Sequence, residues 1–210
     1  MVNRILKIAA VVLAAGVLMA VLGCGEKSQE SPLAVDTVAI NEFNQKLEEL
    51  KSAEMTAEIV LNGQPEGKWS QNGMGSWRWE SSQDVSSYVI YNAVQNKTWA
   101  VTGNSATELA EAQKRVHELN SPALLLGSFQ ALTHLPRTGS TSDTWEWEFS
   151  GISYLTMEFK GPDGLISKVT DEDVESGETD VTEFRYSEIG EVPDSRFELP
   201  AGVTVQPAAT

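Results

Sequence analysis

The chain has one cysteine and two histidines among its 210 residues. One thiol excludes an intrachain disulfide, and so few soft ligands exclude a His/Cys zinc site. Positive charge is also scarce. Fifteen Lys and Arg face 30 Asp and Glu, for a formal net charge of −15. Phosphate backbones need a basic surface, so nucleic acid is excluded as a partner. Beyond the N-terminus no stretch is apolar enough to span a bilayer. There is no G-x-x-x-x-G-K-[ST] loop, no G-x-G-x-x-G loop and no G-x-S-x-G elbow. The two potential histidine bases read as surface or cap residues: His117 on a charged helix and His134 before Leu135-Pro136. No catalytic residue, metal ligand or cofactor site is assigned. What remains is 41% apolar and 21% charged, the balance of an ordinary folded domain.

The one long apolar run is N-terminal. Arg4 and Lys7 precede an uncharged stretch from Ile8 to Leu22, the layout of a signal sequence with its positive head and short greasy core. It ends in Val21-Leu22-Gly23-Cys24, which resembles a bacterial lipobox. The resemblance implies cleavage before Cys24, diacylation of its thiol and a lipid-anchored mature protein. Residues 1–23 are read as the signal peptide and 24–35 as the acylated Cys with a flexible tether. Removing 1–23 leaves 13 cations against 30 acids, a net charge of −17. Gly25 to Leu33 is polar with one Pro, and reaches roughly 30 Å when extended. The anchor places the protein in the bacterial cell envelope, on the outer face of the cell membrane. Gly25 is not the Asp that retains lipoproteins at an inner membrane, so a two-membrane host would carry it at the outer membrane.

Residues 36–205 read as one domain. Ile40, Phe43, Leu47 and Leu50 form one stripe of a helix over 36–52. From Met55 the period changes to two, and strands follow at 55–61, 67–71, 75–80, 86–91 and 97–102, split by Asn, Gly and Ser turns. Ser105-x-x-Glu108 reads as a capping box opening a helix to Leu119. Ser121-Pro122 opens a second, greasy helix with Leu124, Leu125, Leu126, Phe129 and Leu132. Strands resume at 144–150, 153–160, 165–170 and 179–186. The expected fold class is α+β: a curved antiparallel sheet forming an incomplete β-barrel, covered by about three helices.

All six tryptophans fall in these strands. Alternation gathers Trp77 with Trp79, Trp145 with Trp147 and Phe149, and Leu155 with Met157 and Phe159; Tyr88 and Ile90 form another row. A long apolar face under scant helical cover leaves room for an apolar cavity. Its expected lining is Trp77, Trp79, Tyr88, Ile90, Trp99, Leu125, Phe129, Trp145, Trp147, Leu155, Met157 and Phe159. The acidic run Asp171-Glu172-Asp173-Val174-Glu175 fails the calcium-loop pattern, with Ser176 sixth and Thr182 twelfth, and reads as a solvated hairpin.

The run Glu191-Val192-Pro193-Asp194-Ser195-Arg196-Phe197-Glu198-Leu199-Pro200-Ala201-Gly202-Val203 and the hairpin through Pro162-Asp163-Gly164-Leu165 resemble the LolA/LolB-like lipoprotein carriers and the related LppX/LprG-type lipoproteins. The resemblance spans roughly Val38 to Val203. It implies a half-barrel whose cavity accepts acyl chains, and no catalysis; Phe197 and Leu199 alternate as a last strand would, and the flanking prolines stop it. Burying a 16-carbon chain would contribute about 12 kcal/mol gross. The sequence therefore points to a monomeric, non-enzymatic lipoprotein that binds or carries a lipid or acyl chain. The alternative is a regulatory scaffold on the same fold that docks another envelope protein. In a bacterial host fed radiolabelled palmitate, the chain should incorporate label. The Cys24→Ser variant should not, and label retained by that variant would refute the anchor.

Overall fold

The computed structural model describes residues 37–130, 137–149 and 151–207. The signal sequence, Cys24, the tether, Leu132 and His134 lie outside these residues, as does the side chain of Phe149.

Among the described residues three α-helices and twelve strands occur. The first helix, α1 (Thr37–Ser52), buries Ala39, Phe43, Leu47 and Leu50. The stripe is the one its spacing dictates, with Ile40 half-buried at its border. Strands β1 (Met55–Leu61), β2 (Gln64–Gln71), β3 (Trp77–Ser81), β4 (Ser87–Asn92), β5 (Lys97–Thr102) and β6 (Ser105–Glu108) follow as a meander. Helices α2 (Glu111–Glu118) and α3 (Pro122–Gly127) interrupt it. The second run is β7 (Gly139–Ser140), β8 (Thr144–Phe149), β9 (Ser153–Glu158), β10 (Lys168–Asp173) and β11 (Thr179–Ile189), and β12 (Thr204–Gln206) closes the chain.

All twelve strands form one open sheet in the order β12-β6-β5-β4-β3-β2-β1-β11-β10-β9-β8-β7. Every pairing is antiparallel except β12 with β6. The sheet is curved. Both neighbours of the central strand β1 bulge against it: β11 carries an extra residue, Ser187, opposite Thr56/Ala57, and β2 an extra residue, Glu66, opposite Ile59/Val60. Such bulges bend a strand and raise its twist, which turns a long sheet into an arch. The turn between β1 and β2 places Asn62 at φ 51° and Gly63 at φ 76°, the paired left-handed residues of a two-residue hairpin.

Two sequence readings need correction. Ser105–Glu108 is strand β6, not the start of a helix, and α2 begins only at Glu111. Ala106 is buried between Val101 of β5 and Val205 of β12, and ladder pairing outweighs the capping signature. Phe197 lies not on a strand but in a short 3₁₀ turn over Asp194–Phe197. Pro193 cannot donate to a ladder, and the last strand begins seven residues past Phe197, at Thr204.

One polar residue ties α1 to the sheet. Gln71 is buried, and its Nε2 donates to the carbonyls of Leu50 and Ala53 at 2.9 and 2.8 Å. Its Oε1 accepts the indole N–H of Trp69 at 2.8 Å. One amide thus satisfies free carbonyls at the helix end and a buried indole together. Gln71→Ala should cost about 1–3 kcal/mol in urea unfolding, because it orphans buried groups rather than only removing a bond. An unchanged unfolding midpoint would show that water replaces the amide.

Candidate functional site

Cross-strand register decides which residues share a face. Trp69 opposes Trp79, Trp79 opposes Val89, and Trp77 opposes Tyr91. On the far half of the sheet Trp145 opposes Met157 and Trp147 opposes Leu155. These side chains join Phe43, Leu47 and Leu50 of α1, Ala123 and Leu126 of α3, and Phe129 in one apolar cluster. Trp77, Trp79, Trp145, Trp147, Leu155, Met157, Phe159 and Phe129 are all buried in it, and Leu125 packs half-buried at its edge. Two aromatic groups anchor its ends. Trp69 stacks on Trp77 with centroids 5.0 Å apart, and Trp145 lies 4.5 Å from Phe159.

Tyr88, Ile90 and Trp99 are not part of this face. Ile90 pairs with Arg78 on one side and Trp99 on the other, and Tyr88 pairs with Glu80 and Val101. They lie on the opposite face in a second cluster with Val101, Ala106, Val192 and Phe197. The expectation of a single lining set is therefore corrected. In Ser-Tyr-Val-Ile-Tyr both parities are apolar, so alternation alone could not assign the faces. The segment after β11 covers this second cluster as a strap. Arg196 reaches Glu188 with both terminal nitrogens, at 3.0 Å for Nη2, and donates to Thr56 Oγ1 at 2.8 Å. Asn72 Nδ2 donates to Asp194 at 2.8 Å, and Asn92 Nδ2 donates to the Phe197 carbonyl at 3.2 Å.

The inner cluster is closely packed over most of its area, and its gap lies where α1 ends. There a half-open cavity of about 320 Å³ is bordered by Trp69, Trp77 and Gln71 on the sheet, Lys51 of α1, and Ala123 and Leu124 of α3. Ser121 caps α3 by accepting the Leu124 N–H at 3.0 Å, and Pro122 occupies its first turn. This fixes α3 as the cavity's outer lip, with Leu124 left 46% exposed. The Trp77 indole N–H is buried without a hydrogen-bond partner. Of the expected lining residues, only Trp77 borders this cavity; Trp69, Gln71, Ala123 and Leu124 are wall residues outside the expected set. The polarity of Gln71 hid it, and the small Ala123 side chain is what leaves the space.

Polar chemistry is dispersed. Arg78 lies on the opposite face, its guanidinium 3.6 Å from the Tyr88 ring centroid and its Nε 2.7 Å from Glu80. Burial pulls the His117 pKa below the usual histidine value, which leaves the ring neutral at pH 7. Asp171 is pushed up, by burial first and by its neighbours Asp180 and Asp173. Among the described residues no group of His, Cys, Asp and Glu is arranged to hold a metal ion. No helix among them is long and apolar enough to cross a membrane.

A scan of protein families finds no match to this chain, and a search of curated proteins finds none either. Among solved structures the chain is weakly similar to "Crystal structure of MucB in complex with MucA(peri)", at 10% identity and a TM-score of 0.38. The superposition covers 80% of this chain and 62% of that one.

The strap has a pH signature. Hydrogen bonds from Arg196 and Thr56 hold the Glu188 carboxyl below the usual value of 4.5. A lowered folded pKa gives stability that is complete above 4.5 and is lost as pH falls through the folded value. The melting-temperature advantage of the native chain over Glu188→Gln should therefore be constant from pH 5 to 7 and shrink below 4.5. An advantage independent of pH would exclude the ion pair as its source.

Proposed function

We propose that this chain is an envelope lipoprotein, anchored through Cys24, that binds one acyl chain of a lipid or lipoprotein and does no chemistry on it. The observation that carries the reading is the half-open cavity walled by Trp69, Trp77, Ala123 and Leu124. Its volume of about 320 Å³ lies at the small end of ligand pockets, which run roughly 300–1,000 Å³. That size suits a single tail rather than a whole multi-chain lipid. Deeper entry would follow the inner apolar face beneath α3, a helix of six residues held down by Pro122, Ala123, Leu126 and its cap. The aromatic walls give affinity without strict selectivity, as fits a carrier or a sensor of acyl chains. The resemblance of the 161–169 and 191–203 segments to the LolA/LolB-like carriers supports the same reading.

A second reading has its own observation. Over the rest of the inner face the central side chains, Trp79, Trp147, Leu155 and Met157 among them, are buried. A filled face suits a scaffold that docks another envelope protein in place of a lipid.

Native mass spectrometry separates the two. Residues 25–210, which contain every described element, should retain a co-purified lipid mass or bind oleate one to one. Ala123→Leu, which fills the cavity, should weaken oleate binding roughly tenfold, equivalent to about 1.4 kcal/mol. A clean apo mass that takes up no oleate would overturn the lipid reading.

A further inference from the structure

A second groove lies on the face of the sheet opposite the tryptophans. It holds about 300 Å³ and is bordered by Glu58, Lys68, Arg78, Glu80 and Tyr88. Register sets them side by side: Glu58 opposes Lys68, Lys68 opposes Glu80, and Glu80 opposes Tyr88. Arg78 stands two residues from Glu80, on the same face. The β3–β4 turn forms the wall, and its own bonds hold it in place. Ser86 and Ser87 donate their hydroxyls to Asp84 at 2.6 Å each. Ser82 donates its hydroxyl to the Pro65 carbonyl and its N–H to the Glu66 carbonyl, the latter at 3.0 Å. All three serines border the groove, and with their protons spent their oxygens can only accept. The donors come from the floor. Tyr88 and Glu80 hold the Arg78 guanidinium, yet among the described residues neither of its terminal nitrogens has a hydrogen-bond partner. Among them, too, the exposed Lys68 closes an ion pair with neither flanking carboxylate. Glu58 is paired loosely with Arg185, at 3.7 Å, from outside the groove.

We propose that this groove binds a short neutral sugar. Lys68 and Arg78 can only donate, while Glu58, Glu80 and the three serine oxygens can only accept. A hydroxyl does both, so neighbouring hydroxyls of one sugar can bridge the alternating row. A simple anion would meet Glu58 and Glu80, and a simple cation would meet Lys68 and Arg78. The lining charges balance, in a chain whose net charge of −15 already repels anions. A peptide is disfavoured as well. Strands β1 to β4 are paired on both sides, which leaves no backbone edge for a further strand. Val85, 94% exposed in the turn, also borders the groove and offers an apolar surface to the C–H side of a sugar ring. A volume at the low end of ligand pockets, which run roughly 300–1,000 Å³, limits the ligand to a mono- or disaccharide. The inference is independent of what the acyl cavity holds, because groove and cavity lie on opposite faces of the sheet.

Saturation-transfer NMR on the full-length chain, held in a detergent without a sugar head, tests this with maltose, cellobiose and diacetylchitobiose as probes. At least one should bind saturably at millimolar concentration. Arg78→Gln should weaken that binding roughly tenfold or more, the loss expected for a hydrogen bond to a charged group. Lys68→Gln should weaken it likewise. Lys68 is exposed and has no ion pair to lose, so this variant should keep the native melting temperature and leave oleate binding unchanged. No saturable binding of any of the three sugars would overturn the inference. So would equal binding by both variants, which would place the sugar elsewhere. Displacement of the sugar by acetate or sulfate, or by triglycine, would also overturn it, since these assign the groove to an anion or to a peptide.

Discussion

Everything in this fold depends on covering one apolar, tryptophan-rich sheet face with too little helix. The sheet presents Trp69, Trp77, Trp79, Trp145 and Trp147 to one side, while α1 and α3 supply Phe43, Leu47, Leu50, Ala123 and Leu126 against them. Apolar area removed from water contributes about 25 cal/mol per Å², so leaving such a face open would forfeit much of the domain's stability. The aromatic rings solve most of the problem by packing on one another, Trp69 on Trp77 and Trp145 on Phe159. The rest falls to α1, pinned at its end by Gln71. Where α1 stops and α3 begins, cover runs short, and the cavity is the remainder.

The same constraint explains the opposite face. A sheet of twelve strands wraps only part of the way round, and its β4–β6 end exposes a second apolar patch of Ile90, Trp99 and Val101. Among the described residues no α-helix packs on it. The chain after β11 crosses it instead, with Val192 and Phe197 as its apolar contacts and Arg196, Asp194 and the Phe197 carbonyl as its polar ties. The two faces therefore differ in how they are sealed. The strap is tied by charged and polar bonds, whereas the α3 lip is held by Pro122, Ala123 and Leu126 and a serine cap.

Local signals in the sequence predicted much of this and failed where long-range pairing took over. The α1 stripe, the Asn62-Gly63 hairpin and the Ser121-Pro122 helix start were legible because each is set by neighbours in the chain. Ser105–Glu108 was not, because its fate as β6 depends on Val101 and on Val205 a hundred residues away. The faces of Trp77 and Trp145 followed from alternation, with Arg78 and Glu146 between their apolar neighbours. Those of Tyr88, Ile90 and Trp99 did not, since Tyr-Val-Ile-Tyr and Trp-Ala-Val are apolar on both parities. The cavity itself could not be read, because it is made by a small residue, Ala123, and by a helix ending at Ser52, rather than by any motif.

On the proposed reading, an acyl chain enters beside Trp69 and Trp77 and not at the far aromatic group of Trp145 and Phe159. Quenching of intrinsic fluorescence by a bromine-labelled fatty acid tests it directly, since bromine quenches only indoles it touches. Entry at that site gives saturable quenching that Trp69→Phe/Trp77→Phe largely removes and Trp145→Phe leaves in place. Quenching that never saturates, or that survives the loss of Trp69 and Trp77, would contradict it.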